Sequence, residues 1–361
     1  MRITKPAVHL LFHAPAKARL RCRSKCGMVT KQLPKLIFNF ILAMAACAAC
    51  STVNCKAAEA PSDDPLRVVA CIFPEYDWVR QVLGPDSPVQ ADLLLSQGVD
   101  MHSFAPSAQD IVSVSDCDLF IYTGGESDAW VNDILKQSAN PDLVSLNLMD
   151  ILREHLLDET VLEGMTAGEE HHEGHSDEED ALHEADEHIW LSLKNACICT
   201  QAIADALAGL DPANAQLYQN NAEDSIAALN ELDASYQAAV DSAAQKSILI
   251  ADRYPFRYMA EDYGLTCYAA FSGCTAETEA SFETIAYLTG KLDELDLHTV
   301  LVTESSDRKL AETIVKGSAD PSRQILVLDS LQSTTLQDTL DGATYLSSME
   351  ANLDVLKQAL A

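Results

Sequence analysis

The stretch ANAQLYQNNAEDSIAALNELDASYQAAVDSA, residues 213–243, decides the fold that the sequence predicts. Its apolar residues recur near a period of 3.6, which is typical of an amphipathic helix: Leu217, Ile226, Leu229, Leu232 and Tyr236. Asp211-Pro212 is typical of a helix start, with proline at the first helical position. A helix of about thirty residues would be roughly 45 Å long. We therefore expect residues 211–245 to form a long helix that connects two lobes.

Short apolar segments alternate with helical segments on both sides of this stretch. The expected strands before it are residues 67–73, 89–95, 119–122 and 143–148, and those after it are residues 247–251, 267–271, 299–302 and 325–328. Such alternation predicts parallel sheets flanked by helices. The predicted fold class is α/β, with two similar lobes over residues 66–210 and 246–361, each a mainly parallel sheet flanked by helices. One long backbone helix joins them and leaves a cleft between the lobes.

The first fifty residues differ from the rest of the chain in charge and pattern. They contain nine Lys or Arg and no Asp or Glu, and residues 36–46 form an apolar run of signal-peptide length. The small residues before Cys47 and Cys50 resemble the lipobox of bacterial lipoproteins, with Cys50 the preferred acylation site. We expect residues 1–50 to contain an export segment and residues 51–65 to be a tether from the lipid anchor. The residues before Met28 fit no signal pattern, so we expect translation to start at Met28. An ordinary secretory signal is the alternative.

The remainder of the chain is strongly acidic, with 15 basic against 55 acidic residues. This charge makes nucleic acid an improbable partner and favours the attraction of cations. Seven of the eleven cysteines follow residue 50. Cys267 and Cys274 flank one short segment and could pair, whereas Cys197 and Cys199 lie on an expected helix and are interpreted as free buried thiols.

Residues 167–187 form an expected loop rich in histidine and carboxylate. Within EEHHEGHSDEEDALHEADEHIWL, residues 169–191, four histidines lie in polar sequence, and His188 lies where the polar run meets apolar residues. Imidazole nitrogen and carboxylate oxygen are donors that zinc and its neighbours accept. The alternative is an acidic surface loop that happens to be rich in histidine. His188 differs from the other four because it adjoins anchored structure and can be aimed at a ligand.

Further candidate ligands follow the ends of expected strands. His102 comes after the second strand, Asp252 and Arg253 follow the first strand of the second lobe, and Asp329 follows the last strand. A single histidine or aspartate in such a loop is more often a capping or turn residue. Together these residues indicate a binding site more strongly than any one of them, because ligands of open parallel sheets bind beyond the carboxyl ends of the strands, where such loops converge.

At this point the chain resembles the cluster A-I solute receptors of bacterial ABC transporters for zinc and manganese. The segment Gly98-Val99-Asp100-Met101-His102-Ser103-Phe104-Ala105-Pro106-Ser107 is similar to the family's first-ligand motif, and Asp186-Glu187-His188-Ile189-Trp190-Leu191-Ser192 is similar to its second. Asp329 matches the carboxylate ligand of a later motif. The resemblance implies that His102, His188 and Asp329 bind a divalent metal ion.

One position departs from the family pattern. Alignment on Phe256 and on Tyr263-Gly264-Leu265 puts Arg253 where the resemblance implies a His or Glu ligand, and a guanidinium cannot bind metal. Met101 likewise replaces a Pro or Glu. Asp252 is the first candidate for the missing ligand, followed by Glu277 and Glu279, and Arg253 could instead pair with Asp329. A carboxylate in this place would weaken the preference for zinc over manganese.

The resemblance implies a receptor outside the cytoplasm, anchored by lipid or free in the periplasm. It would capture a divalent transition metal, zinc first and manganese next, in the cleft between the lobes and deliver it to an ABC permease served by a separate ATPase subunit. Such a receptor acts as a monomer and catalyses no reaction. The alternative from another functional class is a secreted zinc hydrolase, although no H-E-x-x-H motif is present. An adhesin of the same fold, or a branch that binds an anion through Arg253, are further alternatives.

Overall fold

The computed structural model describes residues 65–166, 185–273 and 279–361. Within these ranges, no helix combines the length and the apolar character that a membrane span requires.

The first sheet lies in the N-terminal lobe and contains four parallel strands in the order β2-β1-β3-β4. The strands are β1 (Arg67–Ala70), β2 (Gln90–Leu93), β3 (Leu119–Tyr122) and β4 (Val144–Asn147). The connecting helices are α1 (Phe73–Leu83), α2 (Ala108–Ser115), α3 (Val131–Leu135) and α4 (Leu148–Ile151). All four residues of β3 are buried, as expected for an inner strand covered on both faces.

Helix α1 begins earlier than the sequence pattern predicts. Phe73 is its first residue and not the end of a strand. The Glu75 carboxylate accepts the backbone N–H groups of Cys71 and Ile72, at 2.9 and 3.2 Å, and thereby stabilises the start of the helix.

Two long helices follow the first sheet, α5 (Leu193–Leu210) and α6 (Ala215–Ser242). The predicted start of the long helix at Asp211-Pro212 is wrong, because α5 runs to Leu210 and α6 has Asn214 as its N-cap. Asp211 instead stabilises the turn between them: its carboxylate accepts from the Asn214 amide at 2.6 Å and from the Tyr218 hydroxyl at 2.8 Å. Helix α6 packs against α5 and α1 on one side of the molecule.

The second sheet repeats the arrangement of the first, with four parallel strands in the order β6-β5-β7-β8. The strands are β5 (Ser247–Tyr254), β6 (Thr266–Ser272), β7 (Thr299–Val302) and β8 (Gln324–Val327). Its helices are α7 (Arg257–Tyr263), α8 (Phe282–Glu294), α9 (Lys309–Gly317), α10 (Leu336–Leu340) and α11 (Tyr345–Ala359). Helix α6 also contacts α7 and α11, so it connects both lobes. The predicted α/β fold with two similar lobes is confirmed, although the pattern did not predict α4 and α10.

Strand β5 extends three residues beyond its predicted end. Its pairing with β6 shifts register between Ile250 and Arg253, which marks an irregularity of the bulge type. Asp252 and Arg253 therefore lie inside the strand and not in the loop after it. Since successive side chains of a strand point to opposite faces, these two neighbours face different parts of the molecule.

Five cysteines in the described residues carry free thiols. Cys71, Cys117 and Cys199 are buried, and Cys197 and Cys267 are half-buried. Cys197 and Cys199 are therefore free, as predicted. The possible partner of Cys267, Cys274, lies outside the described residues.

Candidate metal centre

Two histidines from the first lobe meet at the carboxyl edge of the sheet. His102 lies in the 3₁₀ turn Met101–Ser103, after β2, where the Asp100 carboxylate caps the turn by accepting the His102 backbone N–H at 3.1 Å. His188 immediately precedes the turn Ile189–Leu191 and is fully buried. The Nε2 atoms of the two imidazoles are 3.1 Å apart.

This separation suits a shared metal ion. Two nitrogens that each bind a tetrahedral zinc ion at 2.0–2.1 Å are about 3.3 Å from each other. The two Nε2 atoms therefore already have nearly the spacing that one zinc ion requires. Two neutral imidazoles with lone pairs on these atoms can accept a cation but cannot hydrogen-bond to each other.

The other ring nitrogen of each histidine faces a polar group of the first lobe. His188 Nδ1 lies 2.9 Å from Asp186 Oδ1, which also accepts the His188 backbone N–H at 2.9 Å. His102 Nδ1 lies 2.8 Å from Ser127 Oγ and 3.5 Å from Glu187 Oε2. A proton on each Nδ1 leaves the Nε2 lone pair for the metal and fixes the ring orientation, as acidic partners do at zinc sites in general.

Burial is the main influence on the charge of His102. Burial and the neighbouring His188 lower the pKa of His102 to about 4, although the Asp100 carboxylate acts in the opposite direction. His102 is therefore neutral, and able to bind metal, at neutral pH. Burial also raises the pKa of Glu187 above its ordinary value, while hydrogen bonds from Ser127 oppose that shift.

Asp329 lies close to the turn that follows His188. It comes after β8, and its Oδ1 accepts the backbone N–H of Leu331 at 2.8 Å. The carbonyl of the next residue, Ser330, accepts the indole N–H of Trp190 at 2.9 Å, and this bond ties the Asp329 segment to the His188 turn. Burial and the nearby Glu304 carboxylate raise the pKa of Asp329 to about 6.

Asp252 and Arg253 point in different directions. The Asp252 carboxylate accepts the Thr303 hydroxyl at 2.9 Å and the Thr303 backbone N–H at 3.3 Å, next to the end of β7. Arg253 Nη1 lies 2.7 Å from Asp100 Oδ2 in the first lobe. The possible pairing of Arg253 with Asp329 is therefore replaced by a pairing with Asp100. Burial alone would raise the pKa of Asp100, but Arg253 and His102 together outweigh burial and lower the pKa of that carboxyl below its usual range.

The structure thus brings His102 and His188 together and leaves Asp329 and Asp252 in separate hydrogen-bonded segments. Across residues 65–166, 185–273 and 279–361, no three His, Cys, Asp or Glu side chains converge closely enough to hold a metal ion. Glu279 is exposed, and Glu277 and the histidines of the tract before residue 185 lie outside the described residues. Sequence reasoning did not assign roles to Asp100, Ser127 and Glu187. The position of Asp100 two residues before His102 was the one available signal, because Glu187 is adjacent to His188 in sequence but faces His102 in the structure.

The second lobe approaches the His188 ring closely at Gly273. A methyl group added at this glycine would lie 2.9 Å from His188 Cε1 and 3.0 Å from the Tyr254 carbonyl oxygen. A glycine directly after β6 therefore allows the backbone of the second lobe to cover one face of the His188 ring.

Comparison with known proteins identifies the family. The sequence profile described as "Zinc-uptake complex component A periplasmic" matches residues 68–359. The chain belongs to this zinc-uptake family. It is 31% identical over 298 residues to the zinc-binding lipoprotein AdcA of Streptococcus pneumoniae, which covers 82% of this chain and 56% of AdcA. The chain therefore spans little more than half the length of that relative.

In two further comparisons the match extends over nearly the whole of the compared protein. The high-affinity zinc uptake system protein ZnuA of Bacillus subtilis is 28% identical over 324 residues, or 89% of this chain and 97% of that protein. The crystal structure of the Zn(II)-bound ZnuA-like domain of S. pneumoniae AdcA superposes with a TM-score of 0.64 at 28% identity and covers 82% of this chain and 99% of that domain. Within the zinc-uptake family, this chain therefore has the two-lobe fold of a zinc-bound relative.

Proposed function

We propose that this protein is an extracytoplasmic receptor that captures zinc between its lobes and hands it to a membrane permease. The observation that carries the proposal is the 3.1 Å separation of His102 Nε2 and His188 Nε2, with a polar partner behind each Nδ1. Membership of the zinc-uptake family supports it. Nitrogen donors favour zinc, with manganese as the second candidate.

In this proposal His102 and His188 supply two nitrogen ligands and Asp329 supplies an oxygen ligand. Asp329 would bind after its segment moves toward the histidines, losing the proton that burial favours at lower pH. Asp252 is the reserve oxygen ligand, and it would first have to release its hydrogen bonds to Thr303. Arg253 cannot serve, because a guanidinium has no lone pair to donate.

The proposal also includes the partner proteins and the membrane location of the receptor. The zinc-uptake family supports a role beside an ABC permease and its separate ATPase subunit. We propose a lipid anchor at Cys50 and action as a monomer. The histidine-rich tract would gather zinc weakly and raise its concentration near the cleft. No bond in a substrate is made or broken, and the zinc receptor is favoured over the hydrolase and adhesin alternatives by the family match.

The test is zinc content and chelator-competition titration of a soluble chain from about residue 56 with the tract 169–185 deleted. We expect close to one tightly bound zinc ion per molecule, and its loss in His102→Ala and in His188→Ala. His298→Ala is the matched control, since His298 is an exposed histidine of the second lobe. Absence of tight zinc in the tract-deleted parent, or equal loss in the His298→Ala control, would overturn the proposal.

A further inference from the structure

The loop that carries His102 is held by the second lobe at two points. At its start, the backbone N–H of Leu336 donates to the Ser96 carbonyl at 2.9 Å. Between the two points Gly98 has a φ of 67° and approaches the Ser333 carbonyl so closely that an added methyl group would lie 2.4 Å from that oxygen. At the second point the guanidinium of Arg253 pairs with Asp100 at 2.7 Å.

The ion pair bears directly on the ligand. Asp100 Oδ2 contacts Arg253, while Asp100 Oδ1 accepts the backbone N–H of His102. A contact from the second lobe is thus two residues away from the metal ligand and fixes the carboxylate that caps its turn. Displacement of Arg253 would free that carboxylate to rotate and would loosen the turn that aims His102.

The two histidines differ in how firmly the second lobe holds them. The His188 segment is fixed by buried hydrogen bonds, from the Tyr258 hydroxyl to the Asp186 carbonyl at 2.8 Å and from the Trp190 indole to Ser330. The Arg253 and Asp100 side chains instead remain 23% and 26% exposed. A partly exposed ion pair opens more readily than fully buried hydrogen bonds, because water can solvate the separated charges. The His102 side is therefore the side that opens first.

We propose that Arg253 is a positioning residue of the metal centre: its ion pair with Asp100 clamps the second lobe onto the His102 loop and slows the release of captured zinc. This inference rests on the proposed zinc capture. At this position the second lobe contributes an ion pair that holds a ligand of the first lobe, whereas Asp329 remains its proposed oxygen ligand. The clamp acts on the rate of zinc release, since the lobe that covers the site must move away before the ion can leave.

The experiment measures zinc release from the full chain by stopped flow with excess chelator, together with hydrogen exchange of residues 96–104 in the metal-free protein. The variants are Arg253→Met, Asp100→Asn, their double mutant, and Arg253→Lys. We expect zinc release about tenfold faster and faster exchange of the loop in each of the first two, and no further increase in the double mutant, because both remove one contact. Arg253→Lys restores most of the slow release because it keeps the charge.

Lys291→Met is the matched control, because Lys291 is 24% exposed and pairs with Glu294 inside α8, away from the metal centre. Unchanged release in Arg253→Met, additive effects in the double mutant, or an equal increase in Lys291→Met would each overturn the clamp. If the parent binds no zinc, the proposed function fails. The hydrogen-exchange measurement then still decides whether Arg253 holds the His102 loop.

Discussion

One oxygen of Asp186 accepts both the backbone N–H and the ring Nδ1 of His188, each at 2.9 Å. The carboxylate and the imidazole are both buried, so neither contact can be replaced by water. This double contact fixes the rotation of the His188 ring and assigns its proton to Nδ1. The lone pair of Nε2 is thereby presented to His102 Nε2.

Asp186→Asn tests this arrangement. The variant keeps the size of the side chain but removes the charge that stabilises the Nδ1 proton. We expect zinc affinity to decrease by about 10- to 100-fold, the range observed for loss of second-sphere partners of zinc ligands. Chelator-competition titration measures the change. An affinity within twofold of the parent would show that the Asp186 contact does not orient His188.

Glu187→Gln is the matched comparison at the neighbouring residue. Glu187 Oε2 lies 3.5 Å from His102 Nδ1, whereas Ser127 Oγ lies at 2.8 Å and already satisfies that nitrogen. We therefore expect a smaller decrease in zinc affinity than in Asp186→Asn, by about threefold. A larger loss in Glu187→Gln than in Asp186→Asn would mean that Glu187, and not Ser127, sets the proton position on His102.

Gly273→Ala tests the contact between the second lobe and His188. The added methyl group would lie 2.9 Å from His188 Cε1 and 3.0 Å from a backbone oxygen, and the backbone cannot yield as a flexible side chain can. We expect a loss of about 1–3 kcal/mol in the free energy of unfolding and weaker zinc binding.

Gly290→Ala is the control for this substitution. Gly290 lies within α8, and an added methyl group there meets nothing within 4 Å. Helix propensity then predicts a gain of about 0.5–1 kcal/mol. Urea denaturation of both metal-free variants measures the difference, and equal effects of the two substitutions would contradict the role of Gly273.

Asp128→Asn tests a buried carboxyl group one residue after Ser127. Asp128 Oδ2 accepts the Gly124 N–H at 2.9 Å, and burial raises the pKa of Asp128 to about 7. The folded state therefore holds this proton more strongly than the unfolded state, whose pKa is about 4. Its contribution to stability is complete below about pH 4 and is lost as the pH rises toward 7.

The slope of the unfolding free energy against pH should therefore become less negative in Asp128→Asn. One proton accounts for about 1.4 kcal/mol per pH unit between pH 4 and 7. The asparagine oxygen can still accept from Gly124, so the fold is preserved. Urea denaturation of the metal-free protein at pH 5, 6 and 7 measures the slopes. Parallel curves for variant and parent would show that Asp128 ionises normally in the folded state.

The sequence predicted the two-lobe fold because its strands and helices have strong periodic patterns. It also predicted that His102 and His188 belong to one site. That prediction came from the resemblance to a known family, because the spacing of the two residues in the chain does not indicate it. It could not predict the contacts of Arg253, since Asp100 belongs to the other lobe and only the folded chain brings the two side chains together. The partners of the histidine rings were equally hidden: Ser127 is 25 residues from His102 in the chain, and only the folded loops bring them together.

Two carboxylates of the second lobe, Asp329 and Asp252, are candidates for the oxygen ligand of the proposed zinc site. Asp329 follows strand β8 and is tied through Ser330 to the His188 turn. Asp252 instead hydrogen-bonds Thr303, while its neighbour Arg253 faces Asp100. We expect Asp329→Asn to decrease zinc affinity by at least about 100-fold, because a neutral amide is a weak zinc ligand.

Asp252→Asn should change zinc affinity less than about threefold while lowering stability by about 1 kcal/mol, because its bonds to Thr303 are structural. Competition titration and urea denaturation of both variants separate the two roles. If Asp252→Asn instead removes tight zinc and Asp329→Asn does not, the oxygen ligand comes from β5, next to Arg253. The clamp and the ligand would then lie on adjacent residues of one strand, and metal binding would have to rearrange the end of β5.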